Sequence, residues 1–140
     1  MLTNRSMPRS TVIPVLAYED VVDAVDWLCE TFGFTERWRA GNHRAQLHVG
    51  DGAVALTEQR VDAADTRPIS HSVMVRIEDV NSHHEHAQSR GARILEPPTD
   101  FPYGERQYTV EDLGGHRWTF SESIADVAPE EWGGTSHNIE

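Results

Sequence analysis

The chain has 140 residues, 38% of them hydrophobic and 25% charged, which suits one compact domain with a core and excludes a disordered polymer. Twelve Lys and Arg face 23 Asp and Glu, and this formal charge of −11 argues against a nucleic-acid backbone as partner, which would want a basic stripe. No run approaches the roughly 18 apolar residues that cross a bilayer, and the single cysteine, Cys29, rules out an internal disulfide framework.

A reducing compartment follows from that cysteine usage, so a cytoplasmic protein is expected, with neither nucleic acid nor membrane as partner. The acidic excess attracts cationic small molecules if the acids line a cleft, and otherwise is a solvated surface.

Residues 1–10 carry Arg5 and Arg9 but no apolar run behind them, unlike a secretory signal, and are expected to be a flexible leader. Residues 12–17 are apolar, short and β-branched, which predicts a strand. Asp20 then stands as a helix N-cap with Asp23 in the first turn, Val21, Val25, Leu28 and Phe32 recur at helical spacing, and Gly33 supplies the C-cap. Three extended segments follow, at residues 34–40, 44–49 and 53–58.

The same order then returns. Residues 71–77 read as a strand, Asp79 as a cap, Val80, His84 and Ala87 as an inner helical face, and Gly91 as the stop. Three more extended segments come at residues 93–96, 106–111 and 117–122. Tyr18-Glu19-Asp20-Val21 matches Ile77-Glu78-Asp79-Val80 at a spacing of 59, and Gly50-Asp51-Gly52 matches Leu113-Gly114-Gly115 at 63. The gain falls in the stretch holding Pro97, Pro98 and Pro102. The pattern is therefore α+β, with two tandem βαβββ modules forming a mixed sheet around a cleft. Residues 11–127 form the single domain, with module one at 11–59, a linker at 60–70 and module two at 71–127. Residues 128–140 are a tail whose Trp132 packs back on the body or on a partner chain.

Val15, Asp20 and the run Trp27-Leu28-x-x-x-Phe32-Gly33-Phe34 resemble the first-module signature of the vicinal oxygen chelate superfamily, the glyoxalase/bleomycin resistance protein/dioxygenase family. Asp112-Leu113-Gly114-Gly115-His116-Arg117-Trp118-Thr119-Phe120 resembles its last hairpin and strand, with Leu113 where a proline is usual. Residues 102–108 resemble the loop and strand entry of an uncharacterised glyoxalase-like branch. The resemblance implies the glyoxalase/bleomycin-resistance fold and a homodimer, and leaves the substrate open, because one fold hosts isomerases, dioxygenases and drug-sequestering proteins.

Metal-dependent members of that superfamily hold the ion with four side chains from the first and last strands of both modules. Carried onto this chain, those positions fall on Ile13, Leu56, Ser72 and Thr119, none of which offers an imidazole, thiolate or carboxylate. No metal and no cofactor is expected. A strand bulge that turned His71 and Glu122 inward is the alternative, but it brings in only Pro14 and Thr57 from module one. In the cluster His83-His84-x-His86 the histidines read as a solvated helix with His84 partly covered.

Strand alternation places Ile13, Val15, Val54, Leu56, Glu58, Ser72, Met74, Arg76, Arg117, Thr119 and Ser121 on the cleft face, an apolar floor with two guanidinium groups and one carboxylate. Trp38, Tyr103 and Tyr108 border it, able to stack on a flat ligand. Val73, Val75, Trp118 and Phe120 pack under the helices instead. The expected function is a metal-free small-molecule-binding protein that sequesters a drug or metabolite. The alternative is an enzyme, a glyoxalase-like lyase or isomerase with a displaced site or an acid–base site at Glu58 with Arg76 or Arg117. No phosphate loop, dinucleotide fingerprint or catalytic triad motif is present, and Cys29, mid-helix with no evident base, reads as structural.

Overall fold

A computed structural model describes residues 3–59 and 71–136. Strands β1 (Val15–Tyr18), β2 (Thr35–Ala40), β3 (Arg44–Val49) and β4 (Gly52–Glu58) surround helix α1 (Val21–Phe32) in sequence. Strands β5 (Val73–Arg76), β6 (Arg93–Phe101), β7 (Glu105–Glu111) and β8 (Arg117–Ser123) repeat the order around helix α2 (Val80–Ser89), and a 3-10 turn, Pro129–Trp132, follows. The expected linker, residues 60–70, lies outside the described residues. No described helix is long and apolar enough to cross a membrane.

The strands form two four-stranded sheets, ordered β1-β4-β3-β2 and β5-β8-β7-β6. In each, the first strand pairs parallel with the last and the remaining pairs are antiparallel. The chain divides into two compact units, one holding Met1–His71 with the turn Leu113–His116, the other Ser72–Asp112 with Arg117–Glu140.

Local chemistry sets the helix ends. Asp20 accepts from the Asp23 amide at 3.0 Å, satisfying one of the unpaired amides of the first turn. Gly33, at φ 81°, takes the left-handed conformation that a side chain resists and donates to the Cys29 carbonyl. In α2, Asp79 accepts from the Ser82 amide at 3.0 Å. The Val80 amide donates to Glu122 at 2.9 Å, so that carboxylate faces the helix. β8 runs beside β5 and β7 without a register shift, and the bulge that would have turned Glu122 to the other face does not occur.

β6 is longer than expected. It runs through Pro97 and Pro98, and its pairing with β7 shifts between Ile94 and Glu96 and again between Glu96 and Thr99, because a proline has no amide to give the ladder.

The first core lies between α1 and its sheet. Val21, Ala24, Val25, Leu28 and Phe32 meet Leu16, Ala45, Leu47, Val54 and Leu56, all buried. The second lies between α2 and its sheet, where Trp118, Phe120, Tyr108 and Val110 are buried together. Phe120 stacks on both Tyr108 and Trp118, at centroid separations of 5.5 and 6.4 Å. The Trp118 indole donates to buried Asp112 at 2.9 Å.

Candidate functional site

Pairing decides which side chains share a face, since residues opposite one another across a ladder point the same way. In the first sheet Leu56 stands opposite Leu16 and Ala45, and Val54 opposite Leu47, all on the buried face. The other face carries Val15, which is 57% exposed, with Ala17, Ala55, Thr57, Gln46, Arg44 and His48. Val54, Leu56 and Glu58 were expected on the ligand face, and the structure corrects this: Leu56 is 0% exposed and Val54 2%. Glu58 shares their parity at the strand's exposed end.

The reason is the turn before each last strand. Gly52 already belongs to β4, whereas Gly115, at φ 84°, is still in the turn before β8, so matching those two glycines slips the strands by one residue. Measured across the parallel ladders, Val15 stands beside Ala55 and Met74 beside Thr119. Ala55, not Leu56, is the counterpart of Thr119.

Met74, 60% exposed, shares a face with Arg76, Arg117, Thr119 and Ser121, and β7 adds Glu105, Gln107, Thr109 and Glu111. Several of these polar groups are hydrogen-bonded. Gln107 donates to the Ser121 hydroxyl at 3.1 Å, and that hydroxyl donates to Glu105 at 2.8 Å. Thr109 and Thr119 share a hydrogen bond at 3.0 Å, and Arg76 donates to the Ser123 hydroxyl at 3.1 Å. The sequence reading missed Glu105, Gln107 and Thr109, although the alternation it applied to β8 also holds along β7.

Several other expected positions move. Tyr108 is 1% exposed, held against Phe120 and hydrogen-bonded to His83, and burial pushes its phenol well up, so it belongs to the core and not to a ligand rim. His83, not only His84, lies inward, 4.1 Å from the Phe120 ring centroid. Tyr103 sits between Phe101 at 5.3 Å and Trp132 at 5.7 Å, so the tail packs on its own unit through Trp132. Burial, then Glu36 and Asp26, push the Cys29 thiol up, away from a reactive thiolate.

Trp38 lies on β2 beside a bulge at Arg37, and both side chains reach back to residues 5–7. Residues 5–7 of the segment expected as a flexible leader are thus held by side chains of β2. A separate recess of about 620 Å³ in the first unit is lined by Tyr18, Glu19, Asp20, Asp23, Gln59, Leu113 and Gly114. There Gly114 approaches the Tyr18 ring so closely that a Cβ would stand 2.6 Å from it, and His116 donates to the Ala17 carbonyl at 2.7 Å.

The donor set at the superfamily's metal positions does not fit a metal. Ile13 lies ahead of β1, Ala55 replaces Leu56 at the inherited position, and Ser72 and Thr119 complete the set. Methyl and hydroxyl groups do not bind a divalent transition ion as thiolate, imidazole and carboxylate do. Among the described residues no group of three or more His, Cys, Asp or Glu is arranged to hold one elsewhere.

The model of the Glyoxalase/Bleomycin resistance protein/Dioxygenase superfamily matches residues 11–120. Among solved structures, TioX from Micromonospora sp. ML1 is similar, with a TM-score of 0.68 and 34% identity over 85% of this chain and 100% of that one. A glyoxalase/bleomycin resistance protein from Streptomyces sp. CB03234 has a TM-score of 0.64 and 23% identity, over 81% and 100%. A family enzyme from Burkholderia phytofirmans PsJN has a TM-score of 0.69 and 16% identity, over 80% and 97%. The last two bear on the fold alone. No curated protein matches the chain.

Proposed function

This chain belongs to the Glyoxalase/Bleomycin resistance protein/Dioxygenase superfamily, and from that premise we propose that it is a metal-free small-molecule-binding protein that sequesters a drug or metabolite. The observation that carries the reading is the face of the second sheet. It presents Met74 beside two hydrogen-bonded groups, Glu105 with Ser121 and Gln107, and Thr109 with Thr119, and no metal donor at the inherited positions. An apolar side chain beside placed hydrogen-bonding groups gives a small organic ligand both contact and orientation. Binding and orientation are served by such a face, and Lewis-acid chemistry is not.

The protein acts as a homodimer in the cytoplasm on this reading, with residues 11–127 as its single domain. The family resemblance supports the first, the lone cysteine the second, and the span of the family match the third. The acid–base alternative loses support because Glu58 shares the parity of Leu56 and not that of Arg76's counterparts in the first sheet.

Thermal unfolding in the presence of aromatic, cationic and glycopeptide compounds, with and without EDTA, tests the proposal. At least one compound stabilises the protein, and EDTA leaves the shift unchanged. A ligand at a hundred times its Kd adds about 2.7 kcal/mol, well within reach of the assay. Stabilisation by none of them, or hemithioacetal turnover that EDTA abolishes, contradicts it.

A further inference from the structure

We propose that the face of the first sheet at Arg37 and Trp38 binds a carboxylate on an aromatic scaffold, and that residues 5–7 occupy this site as a tethered competitor. The inference rests on the reading that the chain binds small molecules and names the ligand chemistry of one face.

The bulge in β2 is what builds the site. Pairing shifts between Glu36 and Trp38, which leaves Arg37 as the extra residue and turns it to the side of Trp38 and of Gln46 opposite. Gln46, 3% exposed, accepts from Arg37 Nη1 at 2.9 Å and fixes the guanidinium. Arg37 Nη2 then donates to the Arg5 carbonyl at 2.6 Å and the Met7 carbonyl at 3.0 Å, while the Trp38 indole donates to the Ser6 carbonyl at 3.1 Å. Three consecutive main-chain carbonyls thus sit where a planar anion's oxygens fit, with an indole beside them as a stacking surface.

Two features make the segment a placeholder. Its own side chains are exposed, Met7 at 51%, so it covers the site with backbone and buries little apolar surface. Its carbonyls are neutral acceptors, whereas a carboxylate forms charge-assisted and bidentate bonds with the same guanidinium. The face is also locally basic in an acidic chain, since Arg44 and His48 share the parity of Gln46. A cleft of about 430 Å³ between the segment and the sheet, lined by Arg9, Arg37, His48 and Asp51 among others, opens on it.

The test uses 1-naphthoate and 1-naphthylmethylammonium as matched probes, titrated calorimetrically into the full chain, a chain lacking residues 1–9, and Arg37→Gln in the shortened chain. Naphthoate binds the shortened chain about tenfold more tightly, because a competitor tethered at high effective concentration is gone. Loss of Arg5 and Arg9 pushes general anion attraction the other way, so tightening is diagnostic. Arg37→Gln abolishes that binding, a synthetic peptide of residues 3–9 competes with it, and the ammonium probe shows none of these effects.

Equal naphthoate affinity in the full and shortened chains, or binding indifferent to Arg37→Gln, overturns the proposal. Should the shortened chain not fold, trypsin cleavage after Arg5 and Arg9 in the full chain decides: saturating naphthoate speeds it if the segment is displaced, and an unchanged rate overturns the proposal. If other compounds stabilise the protein regardless of EDTA while naphthoate fails here, this inference alone falls and the broader function stands.

Discussion

The orientation of β4 has a direct mutational signature. Leu56 is 0% exposed between Leu16 and Ala45, so Leu56→Ala removes a packed side chain and leaves a cavity, at a cost of about 2–5 kcal/mol. At roughly 3 kcal/mol the melting temperature of a domain this size falls by about 10 °C. Leu56→Glu places a carboxylate in the same space and exceeds what a domain with about 5–15 kcal/mol of stability readily tolerates. Ala55 points the other way, half-buried beside exposed Val15, so Ala55→Glu leaves the protein folded at a loss of about 1 kcal/mol. Urea unfolding followed by far-ultraviolet circular dichroism separates the two sites. If Ala55→Glu unfolds the protein and Leu56→Glu does not, the face assignment is refuted, and with it the counterpart of Thr119.

Three further outcomes follow from single contacts. Gly114→Ala puts a methyl 2.6 Å from Tyr18 Cδ1, whose ring is 1% exposed and held by His116, so urea unfolding shows a loss of about 1–3 kcal/mol; no loss means the turn does not rest on that ring. Asp112→Ala leaves the buried Trp118 indole N–H without its acceptor and costs about 1–3 kcal/mol by the same assay; an unchanged midpoint contradicts a buried bond there. Hydrogen bonds from the Ser82 amide and hydroxyl hold the Asp79 carboxyl below its usual 3.8. A depressed carboxylate adds stability that is present above the unfolded value and is lost as pH falls through the folded one. Asp79→Asn keeps a side-chain cap, so it leaves neutral-pH stability nearly unchanged and flattens the acid limb below about pH 4; a limb as steep as the parent's contradicts that role.

What the sequence revealed depended on how local the determining contact is. Asp20, Gly33 and Asp79 act within one helical turn, and their roles were legible from residue type and spacing alone. The face of β8 was legible because Trp118 and Phe120 alternate with Thr119 and Ser121. The face of β4 was not, because Val54, Ala55 and Leu56 are all apolar and only the ladder with β1 tells them apart. Tyr108 looks amphipathic in sequence and is buried because His83 and Phe120 close over it. The binding of residues 5–7 left no sequence mark, since the acceptors are main-chain carbonyls that any residue supplies.

We propose that this superfamily member works without a metal, since Ile13, Ala55, Ser72 and Thr119 offer no donor at the positions the family resemblance implies. Elemental analysis of the purified, tag-free protein, with Ni, Zn, Fe, Mn and Co each titrated calorimetrically, tests it most directly. The expected result is no ion at one per chain and no saturable binding above what exposed histidines such as His43 and His86 produce. One tightly held ion per chain contradicts it and returns the enzyme reading to the front.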